Sequence, residues 1–219
     1  MDAWILTAVA LAIASDQPAS KLDELPLRVF SFNTNEVSKL PAGWRQEHTG
    51  AGEGSIWTVV ADNSAPSGNG AVLAQTAEGP DALFNLCVVE DSRFKDLELQ
   101  VAFKAVRGKN DQGGGVVWRF RDHDNYYIAR MNPLEDNFRV YRVVAGKRKQ
   151  LQSRDGLKVK AGEWHTIKIE MERDHIHCCF DGEKMLDVKD ETFKDAGKIG
   201  LWTKSDAQTD FDHLEVRGR

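Results

Sequence analysis

A chain of 219 residues with 41% hydrophobic residues is long enough to bury a substantial core within one large domain. Its formal net charge of -5 provides no electrostatic attraction to nucleic acid, and its basic residues are dispersed rather than clustered. These properties exclude nucleic acid as an expected partner and favour a globular protein.

The N-terminal segment MDAWILTAVALAIAS is typical of a secretory signal peptide. Its apolar run from Ala3 to Ala14 ends in Ala12-Ile13-Ala14, and a polar stretch follows. The run is shorter than the ~20 apolar residues that a membrane helix needs, as is every later apolar run. We therefore predict a signal peptide and flanking segment over residues 1–19, a mature chain without a membrane span, and a periplasmic or secreted location. Because no basic residue precedes the run, a misassigned start or an uncleaved anchor is the alternative.

The rest of the chain carries few helix signals, and its alternation of apolar and polar residues indicates strands. Residues 25–50 are predicted to be irregular because Pro26 and Pro41 interrupt them. Asp181-Gly182, between two alternating runs, is a hairpin signal. The main candidate strands lie at 55–62, 71–76, 96–106, 115–121, 126–131, 163–172, 175–180, 184–188, 198–203 and 211–216. This pattern predicts that residues 20–219 form a single all-β domain, a two-sheet antiparallel jelly-roll sandwich.

The segment GGGVVWRFRDHDNYYIARM, residues 113–131, alternates so regularly that its two faces can be assigned. We predict a hairpin with Arg121 opposite Tyr126 and Trp118 opposite Ala129. One face of this hairpin and the matching faces of other strands should form the core of the sandwich. The residues predicted to point inward are Val116, Trp118, Phe120, Tyr127, Ile167, Ile169, Ile176, Cys178, Phe180, Ile199 and Leu201.

The opposite face of the hairpin concentrates arginine and tyrosine. Together with a tryptophan from GLWTK, this face is predicted to form a concave groove that binds carbohydrate. Aromatic rings stack on the apolar face of a sugar, and guanidinium groups donate to its hydroxyl or keto oxygens. The predicted binding residues are Arg119, Tyr126, Arg130, Asn132, Arg139, Tyr141 and Trp202. Two alternatives are that these arginines are only solvated, or that the N-terminal segment or another subunit covers the face.

Four stretches of the sequence together resemble a known family. They are FSFNTNEVSKLPAGW, GGVVWRFRDHDNYYIARMNPLEDNFRVYRVVAGKR, GEWHTIKIEME and GKIGLWTKSDAQTDFDHLEV. The pattern is similar to bacterial secreted domains of the 3-keto-disaccharide hydrolase-like group, within the concanavalin A-like lectin/glucanase superfamily. The resemblance covers nearly all of the chain after the signal-like segment. It implies a jelly roll whose concave sheet faces carbohydrate, and a glycan-cleaving role.

The sequence lacks the carboxylate pattern of the retaining glucanases in this superfamily, Glu-x-Asp-x-x-Glu or its one-residue-longer form. Glu170, Glu172 and Asp174 alternate on one face of a strand, but we interpret them as a solvated surface. If a general acid or base is present, Glu135 or Asp136 in NPLEDN is the best candidate, because this loop overhangs the predicted groove. A role in loop structure is the alternative.

Two sets of residues could bind a metal ion, although the sequence requires no cofactor. The resemblance implies a structural calcium ion that ties the first strand to the last, and Asp212, with Asn33 or Asn35, could supply its oxygens. The alternative is that Asp212 only caps a strand. His175 and His177 alternate onto one strand face and could bind a metal with a third ligand, or could be simple surface residues.

Two main functions fit these observations. The resemblance favours a hydrolase that acts on a sugar or a modified disaccharide, whereas the missing carboxylate pattern favours a non-catalytic carbohydrate-binding module. An adhesion domain would explain the fold equally well. A hydrolase needs a carboxylate or histidine within hydrogen-bond reach of the glycosidic oxygen, and the sequence alone does not choose between these functions.

Overall fold

The computed structural model describes residue 22 and residues 24–219, so the predicted signal segment, residues 1–19, lies outside the described residues. The described chain contains fifteen strands and one 3-10 helix, Thr34–Glu36. The strands are β1 (Arg28–Phe30), β2 (Trp44–Thr49), β3 (Trp57–Ala61), β4 (Ala71–Gln75), β5 (Phe84–Val89), β6 (Leu97–Arg107), β7 (Gly114–Asp122), β8 (Asn125–Asn132), β9 (Asn137–Val144), β10 (Lys147–Asp155), β11 (Trp164–Glu172), β12 (His175–Phe180), β13 (Glu183–Lys189), β14 (Lys198–Lys204) and β15 (Gln208–Gly218). Within this described part, no helix is long and apolar enough to cross a membrane.

The strands form two antiparallel sheets that pack face to face. The eight-stranded sheet has the order β13-β12-β11-β6-β15-β4-β3, and β1 also pairs with β15. The seven-stranded sheet has the order β10-β9-β8-β7-β14-β5-β2. Consecutive strands such as β6 and β7 fall in different sheets, so segments far apart in sequence meet in each one. The predicted two-sheet antiparallel jelly-roll sandwich is confirmed.

Because successive side chains of a strand point to opposite faces, every second side chain lies between the two sheets. Ten of the eleven residues predicted to point inward lie in this main core: Val116, Trp118, Tyr127, Ile167, Ile169, Ile176, Cys178, Phe180, Ile199 and Leu201. Full burial of a large apolar side chain contributes about 1.5–3 kcal/mol, so the alternating pattern largely determines which face turns inward. Cys87 and Cys178 belong to the same core, and all three cysteines of the chain are free thiols.

The β7–β8 hairpin departs from the predicted pairing. Trp118 lies opposite Tyr127 rather than Ala129, a shift of two residues. Such a shift keeps every residue on its own face, so the face assignment holds as far as Trp118. Arg119 then adopts a left-handed φ of 44° in a bulge, and Phe120 turns onto the outer face of the sheet, into a second apolar cluster. The predicted inward position of Phe120 is therefore wrong.

Arg119 is buried at the end of the sandwich, with only 1% of its surface exposed. Its guanidinium donates to the carbonyl oxygens of Lys95 at 2.9 Å and Arg173 at 2.7 Å, and to that of Phe193. Lys95 and Arg173 flank strands of the eight-stranded sheet, whereas Arg119 belongs to the seven-stranded sheet. Arg119 therefore joins the two sheets, and the prediction that it lies on a sugar-binding face is wrong.

Residues 25–50 contain two strands, so the prediction that they are irregular is wrong. β1 pairs with β15, and β2 forms one edge of the seven-stranded sheet. Pro26 and Pro41 lie before β1 and β2 respectively, outside both ladders. Proline cannot donate to a ladder, so it is confined to such boundaries, and here it marks where the strands begin.

The seven-stranded sheet curls strongly toward its outer face. The hydroxyls of Tyr126 on β8 and Thr49 on β2 are 2.6 Å apart, although three strands separate β8 from β2. In a flat sheet, four strand spacings would hold these positions about 19 Å apart. The guanidinium of Arg148 on β10 likewise lies 5.0 Å from the ring centre of Phe84 on β5. The outer face is therefore concave, and these four side chains form what we call the cross-sheet bridge.

Candidate functional site

The floor of the concave face is an apolar cluster. It consists of Phe84, Leu86, Val88, Val117, Phe120, Tyr126, Ile128, Val143 and Trp202. Trp202 is 1% exposed and packs with its ring centre 5.5 Å from that of Phe84. Tyr126 is fully buried, and this burial raises the pKa of its phenol well above the usual range. The predicted stacking platform of Trp202 and Tyr126 is therefore wrong, because side chains of the chain itself already cover both rings.

Charged side chains lie beside this floor, where β8 and β9 meet. Arg130 Nη2 donates to Glu135 Oε2 at 2.8 Å and to the Tyr141 hydroxyl at 3.1 Å. Arg139 Nη1 donates to the same Glu135 oxygen at 3.2 Å. The side chain of Arg130 is 2% exposed, whereas that of Glu135 is 42% exposed. Glu135 is therefore a solvent-facing acid that is paired with a buried cation.

Two asparagines hold Glu135 in this position. Asn132 Oδ1 accepts from the backbone N–H groups of Leu134 at 2.9 Å and Glu135 at 3.2 Å. Asn137 Nδ2 donates to Glu135 Oε2 at 3.1 Å, while Asn137 Oδ1 accepts from Arg130 Nη1 at 2.6 Å. Both asparagines are almost fully buried. Side-chain hydrogen bonds thus fix the β8–β9 turn and hold the Glu135 carboxylate against Arg130.

Three further charged residues adjoin this group. Asp111, in the loop before β7, accepts from Asn132 Nδ2 at 3.0 Å and pairs with Lys204 at 3.2 Å. The guanidinium of Arg148 lies 4.5 Å from the ring centre of Tyr141. We define the concave-face cluster as Asp111, Arg130, Glu135, Arg139, Tyr141, Arg148 and Lys204. Arg139 and Lys204 also pair with Asp155 and Asp81, whereas Arg148 forms no ion pair among the described residues. Arg148 is therefore the cation of the cluster that is left for a ligand that carries or develops negative charge.

The two carboxylates of the concave-face cluster have pKa values shifted in opposite directions. Burial raises the pKa of Asp111, and the charges of Arg130 and Lys204 offset this only in part. Burial also acts to raise the pKa of Glu135, but hydrogen bonds and the charge of Arg130 outweigh it, so that pKa is lowered. Opposed shifts within one cluster are typical of functional sites.

Two guanidinium nitrogens of the cluster are buried without a hydrogen-bond partner among the described residues: Arg130 Nε and Arg148 Nη1. An unsatisfied buried donor costs about 1–3 kcal/mol, so a ligand oxygen at this place would recover that cost. The adjacent floor position is Gly115, which lies between Arg130 and Trp202 in the sheet. A Cβ there would come within 1.8 Å of the Ala129 carbonyl oxygen, so the position requires glycine.

The structure brings together a subset of the residues predicted from the sequence: Arg130, Asn132, Glu135, Arg139 and Tyr141. Asp136 is directed to Lys158, at 3.8 Å, and does not join them. Sequence reasoning missed Asp111, Arg148 and Lys204. Arg148 lies on β10, a strand that was not predicted, and Asp111 lies in a loop with no periodic signal. Of these three, only Lys204 could have been predicted, because it alternates with Trp202 along GLWTK and so lies on the same face.

A depression of about 860 Å³ lies elsewhere on the surface and is lined in part by Arg28, Glu90, Arg121 and Asp195. Arg121 pairs with Asp195 at 2.7 Å, and Lys198 donates to the Glu90 carbonyl oxygen at 2.7 Å. It contains no buried side-chain nitrogen or oxygen that lacks a partner within the described chain. The concave-face cluster is therefore the better candidate site.

Asp212 on β15 is fully buried beneath the loop at residues 65–70. Its Oδ2 accepts from the Ser67 backbone N–H at 2.8 Å, whereas Oδ1 has no hydrogen-bond partner among the described residues. A buried carboxylate oxygen without a donor fits a cation. Asn33 is unsuited to share that ion, because its side chain accepts from the Asn35 backbone and donates to Glu36 at the start of the 3-10 helix.

Residues 32–217 match the model of a family described as the 3-keto-alpha-glucoside-1,2-lyase-like domain. The chain belongs to this family. The matched range contains every residue of the concave-face cluster and also Asp212. As a 3-keto-alpha-glucoside-1,2-lyase-like domain, the chain is a carbohydrate-active domain, and the family resemblance found in its sequence is confirmed. No curated protein matches the sequence significantly.

Several solved structures share the fold of this 3-keto-alpha-glucoside-1,2-lyase-like domain. The carbohydrate binding module CBM66 from Bacillus subtilis is 17% identical with a TM-score of 0.65, over 84% of this chain and 98% of that one. A native glycosidic hydrolase is 13% identical with a TM-score of 0.53, over 87% and 94%. The exoplasmic/lumenal domain of VIP36, in a Ca2+/Man3GlcNAc-bound form, is 13% identical with a TM-score of 0.54, over 81% and 84%. At these identities the similarity establishes a common fold.

Proposed function

We propose that the chain cleaves an oxidised sugar, an α-glucoside with a ketone at C3, at the concave-face cluster. The observation that carries this proposal is the pair of unpartnered guanidinium nitrogens, Arg130 Nε and Arg148 Nη1, beside the carboxylate of Glu135. Guanidinium groups in a buried setting stabilise an oxygen that becomes negative during a reaction. A 3-keto sugar supplies such an oxygen, which fits the family to which the chain belongs.

The proposed reaction is an elimination across C1 and C2 of the sugar. The C3 ketone makes the C2–H bond acidic, because the resulting negative charge is shared with the carbonyl oxygen. A base takes the C2 proton and an enolate forms. The enolate electrons then form the C1–C2 double bond as the C1–O bond breaks, and the departing oxygen takes a proton. The products are an unsaturated keto sugar and an alcohol, so no oxidant or reductant is consumed.

The concave-face cluster offers a group for removal of the C2 proton and groups that stabilise the enolate. Arg130 and Arg148 donate to the C3 oxygen and stabilise the enolate. Glu135 accepts the C2 proton, since it is ionised and is the more exposed of the two carboxylates. Asp111 is a positioning residue that orients Asn132 and Lys204. The departing oxygen takes its proton from solvent at the open side of the cluster.

The test is the release of 4-nitrophenol from 4-nitrophenyl 3-keto-α-glucoside. The parent α-glucoside should not react, because its C2–H bond is not acidified. Glu135→Gln should lower kcat by about 10²- to 10⁴-fold, and Arg130→Met by about 10²- to 10³-fold. The matched control is Glu163→Gln, which changes an exposed glutamate beside Lys160 and should keep wild-type turnover. Unchanged turnover in Glu135→Gln would place the base elsewhere.

A non-catalytic carbohydrate-binding module is the second candidate function. It is favoured by the pairing of Glu135 with both Arg130 and Arg139, whose charges lower the pKa of Glu135 and weaken it as a base. In that case, the wild type and Glu135→Gln would both bind the keto sugar in calorimetry without cleaving it. Loss of binding in Arg130→Met would still locate the site. A chain that neither binds nor cleaves would instead fit an adhesion domain.

We also propose a structural calcium ion at Asp212, as the fold relationship to the Ca2+-bound form of VIP36 suggests. The supporting observation is the unpartnered Oδ1 of this buried carboxylate. Ca²⁺ takes six to eight oxygens, so Asp212 would supply one among several. Added Ca²⁺ should raise the Tm of the wild type and a chelator should reverse the rise, whereas Asp212→Asn should not respond. A wild-type Tm that changes with neither Ca²⁺ nor the chelator would contradict the proposed calcium ion.

We further propose that residues 1–19 direct export of the chain. The supporting observation is the apolar run that ends in Ala12-Ile13-Ala14. Expression in a bacterial host followed by N-terminal sequencing tests it. We expect protein from the periplasm or medium to begin shortly after residue 14. An intact Met1 on protein confined to the cytoplasm would contradict export.

A further inference from the structure

Two histidines and an aspartate meet on the outer face of the eight-stranded sheet, which is not the sheet that carries the concave-face cluster. β12 turns Ile176 into the core, so His175 and His177 point outward. Asp187 on β13 lies directly opposite His177 and therefore shares its face. One donor atom from each of the three side chains lies within 4.8 Å of the other two. We call this group the His–His–Asp triad.

The donor atoms of the triad are spaced like ligands of a single ion. His175 Nε2 is 2.6 Å from Asp187 Oδ1 and 3.1 Å from His177 Nε2. His177 Nε2 is 3.3 Å from Asp187 Oδ2. In a tetrahedral site with metal–ligand bonds of about 2.0–2.1 Å, neighbouring donor atoms are about 3.3 Å apart. The triad would need only small side-chain movements to close around an ion.

Hydrogen bonds alone satisfy the triad poorly. Each nitrogen of a neutral imidazole carries either a proton or a lone pair. If both Nε2 atoms carry protons for Asp187, these two N–H groups face each other across 3.1 Å. If one lacks the proton, only one imidazole donates to the carboxylate. A cation placed between the three atoms accepts a lone pair from each of them at once.

Neighbouring side chains position the ligands. The Asp187 backbone N–H donates to Gln152 Oε1 at 2.8 Å, which ties this part of β13 to β10. Glu170 Oε2 lies 3.8 Å from His177 Nδ1, and its negative charge favours the tautomer with the proton on Nδ1. In that tautomer the Nε2 lone pair is free for a metal. The Lys184 ammonium lies 3.0 Å from Asp187 Oδ2, but its side chain is 54% exposed and can move into solvent when an ion binds.

We propose that the His–His–Asp triad binds one divalent transition-metal ion, with Zn²⁺ as the best match. Two imidazoles and one carboxylate suit Zn²⁺, Co²⁺ or Ni²⁺ better than Ca²⁺ or Mg²⁺, which prefer oxygen ligands. Three protein ligands leave the fourth position for water or a ligand group. Both histidines line a depression of about 590 Å³, so this position is accessible. The site is separate from the proposed sugar site and from Asp212.

Calorimetric titration of the untagged wild type with ZnCl₂ tests the proposal, and we expect one ion per chain. His177→Gln and Asp187→Asn should each abolish stoichiometric binding, and Glu170→Gln should weaken it by about tenfold. Co²⁺ should give the visible absorption of a tetrahedral complex in the wild type only. The matched control is His213→Gln, which removes an imidazole that pairs with Glu215 elsewhere and should leave the affinity unchanged.

The variants alter partly exposed side chains, so their Tm in chelator should stay close to that of the wild type and show that each is folded. A wild type that binds neither Zn²⁺ nor Co²⁺ stoichiometrically would overturn the proposal. Binding that survives in both His177→Gln and Asp187→Asn would also overturn it, since the ion would then lie elsewhere. Turnover of keto sugar is not part of this readout, so the result is independent of the proposed enzymatic function.

Discussion

At one end of the sandwich, the guanidinium of Arg119 ties the two sheets together by donating to backbone carbonyls. Among the described residues, it is the only charged group that links the sheets in this way. A hydrogen bond from a charged donor contributes about 1.5–3 kcal/mol, and its loss leaves a buried acceptor unpaired. Burial lowers the pKa of Arg119, yet arginine stays protonated at any physiological pH. The bulge that turns Arg119 inward therefore stabilises the fold rather than the site.

Replacement of Arg119 tests this role. Arg119→Met keeps the apolar stem but leaves the carbonyls of Lys95, Arg173 and Phe193 without their donor, so we expect a loss of about 3 kcal/mol in the free energy of unfolding. Arg121→Met is the control, because Arg121 is 42% exposed, pairs with Asp195 at the surface and lies over the Phe193 ring, which the methionine stem can still cover. We expect Arg121→Met to lower the free energy of unfolding by less than about 1 kcal/mol. Urea unfolding measures both, and equal stabilities of the two variants would contradict the role assigned to Arg119.

At the scale of secondary-structure elements, the cross-sheet bridge keeps the seven-stranded sheet curled. The Thr49 hydroxyl donates to the His123 carbonyl in the β7–β8 turn and also contacts the Tyr126 hydroxyl. Thr49 on the edge strand β2 is thereby linked to two positions near the start of β8. Because Thr49 and Tyr126 are both buried, their hydroxyls depend on each other for hydrogen bonding.

Thr49→Val should therefore destabilise the fold, because it leaves the Tyr126 hydroxyl and the His123 carbonyl without this partner. We expect the free energy of unfolding to fall by about 1–3 kcal/mol. The control is Thr58→Val on β3, a half-buried threonine whose hydroxyl makes no hydrogen bond within the described residues. Thermal and urea unfolding compare the two variants. A Thr49→Val variant as stable as the wild type would show that the bridge does not maintain the curl.

A second link between elements depends on pH. Asp190, in the segment after β13, accepts from the Tyr127 hydroxyl at 2.7 Å and pairs with Arg142 at 2.6 Å, so it joins β8 and β9 to that segment. Burial acts to raise the pKa of Asp190, but hydrogen bonds from Thr192 and Tyr127 and the charge of Arg142 lower it overall. A carboxyl whose folded pKa is lowered adds stability above its ordinary pKa, and this stability is lost as the pH falls through the folded value.

Asp190→Asn should consequently be less stable than the wild type at neutral pH, and the difference should shrink on acidification to about pH 3. Asp195→Asn is the control, since Asp195 is 75% exposed, and it should follow the wild-type profile. Urea midpoints at both pH values measure the effect. A stability difference that stays constant with pH would mean that the Asp190 charge is not responsible.

The sequence predicted the elements with strong alternation and missed those without it. β6, β7, β8, β11 and β12 alternate over long stretches, so their faces followed directly. β2 and β10 are edge strands whose exposed residues break the pattern, and they were not predicted. The orientation of Arg119 was also not predicted, because one extra residue in a bulge reverses the faces of the residues beyond it. Of the concave-face cluster, only the members on β8, β9 and their turn were predicted. The other members lie on distant segments of the chain that meet the cluster only in the folded structure.

At the scale of the whole molecule, each sheet carries one buried thiol: Cys87 on β5 and Cys178 on β12. Burial raises the pKa of both thiols well above the usual range, so neither is a reactive thiolate in the folded state. Because both belong to the one core between the sheets, a thiol reagent should reach them only when the sandwich opens.

In a Cys179→Ser background, which removes the half-buried thiol, Cys87 and Cys178 should therefore be labelled at the same rate in low denaturant. That rate should follow global unfolding measured by fluorescence, because the two sheets share one core. Mass spectrometry of the labelled peptides gives both rates. Labelling of Cys178 well ahead of Cys87 would show that the eight-stranded sheet opens by itself.

The cross-sheet bridge also determines how a sugar chain could meet the concave-face cluster. Behind the cluster the face is filled by Trp202, Ile128 and Tyr126, and the Arg148 and Phe84 side chains close over it. An open cleft would let a polysaccharide lie across the sheet and be recognised along its length. Because the bridge closes the face behind the cluster, only the end of a sugar chain can reach these residues. The proposed function therefore predicts action on terminal residues and short oligosaccharides rather than on internal linkages.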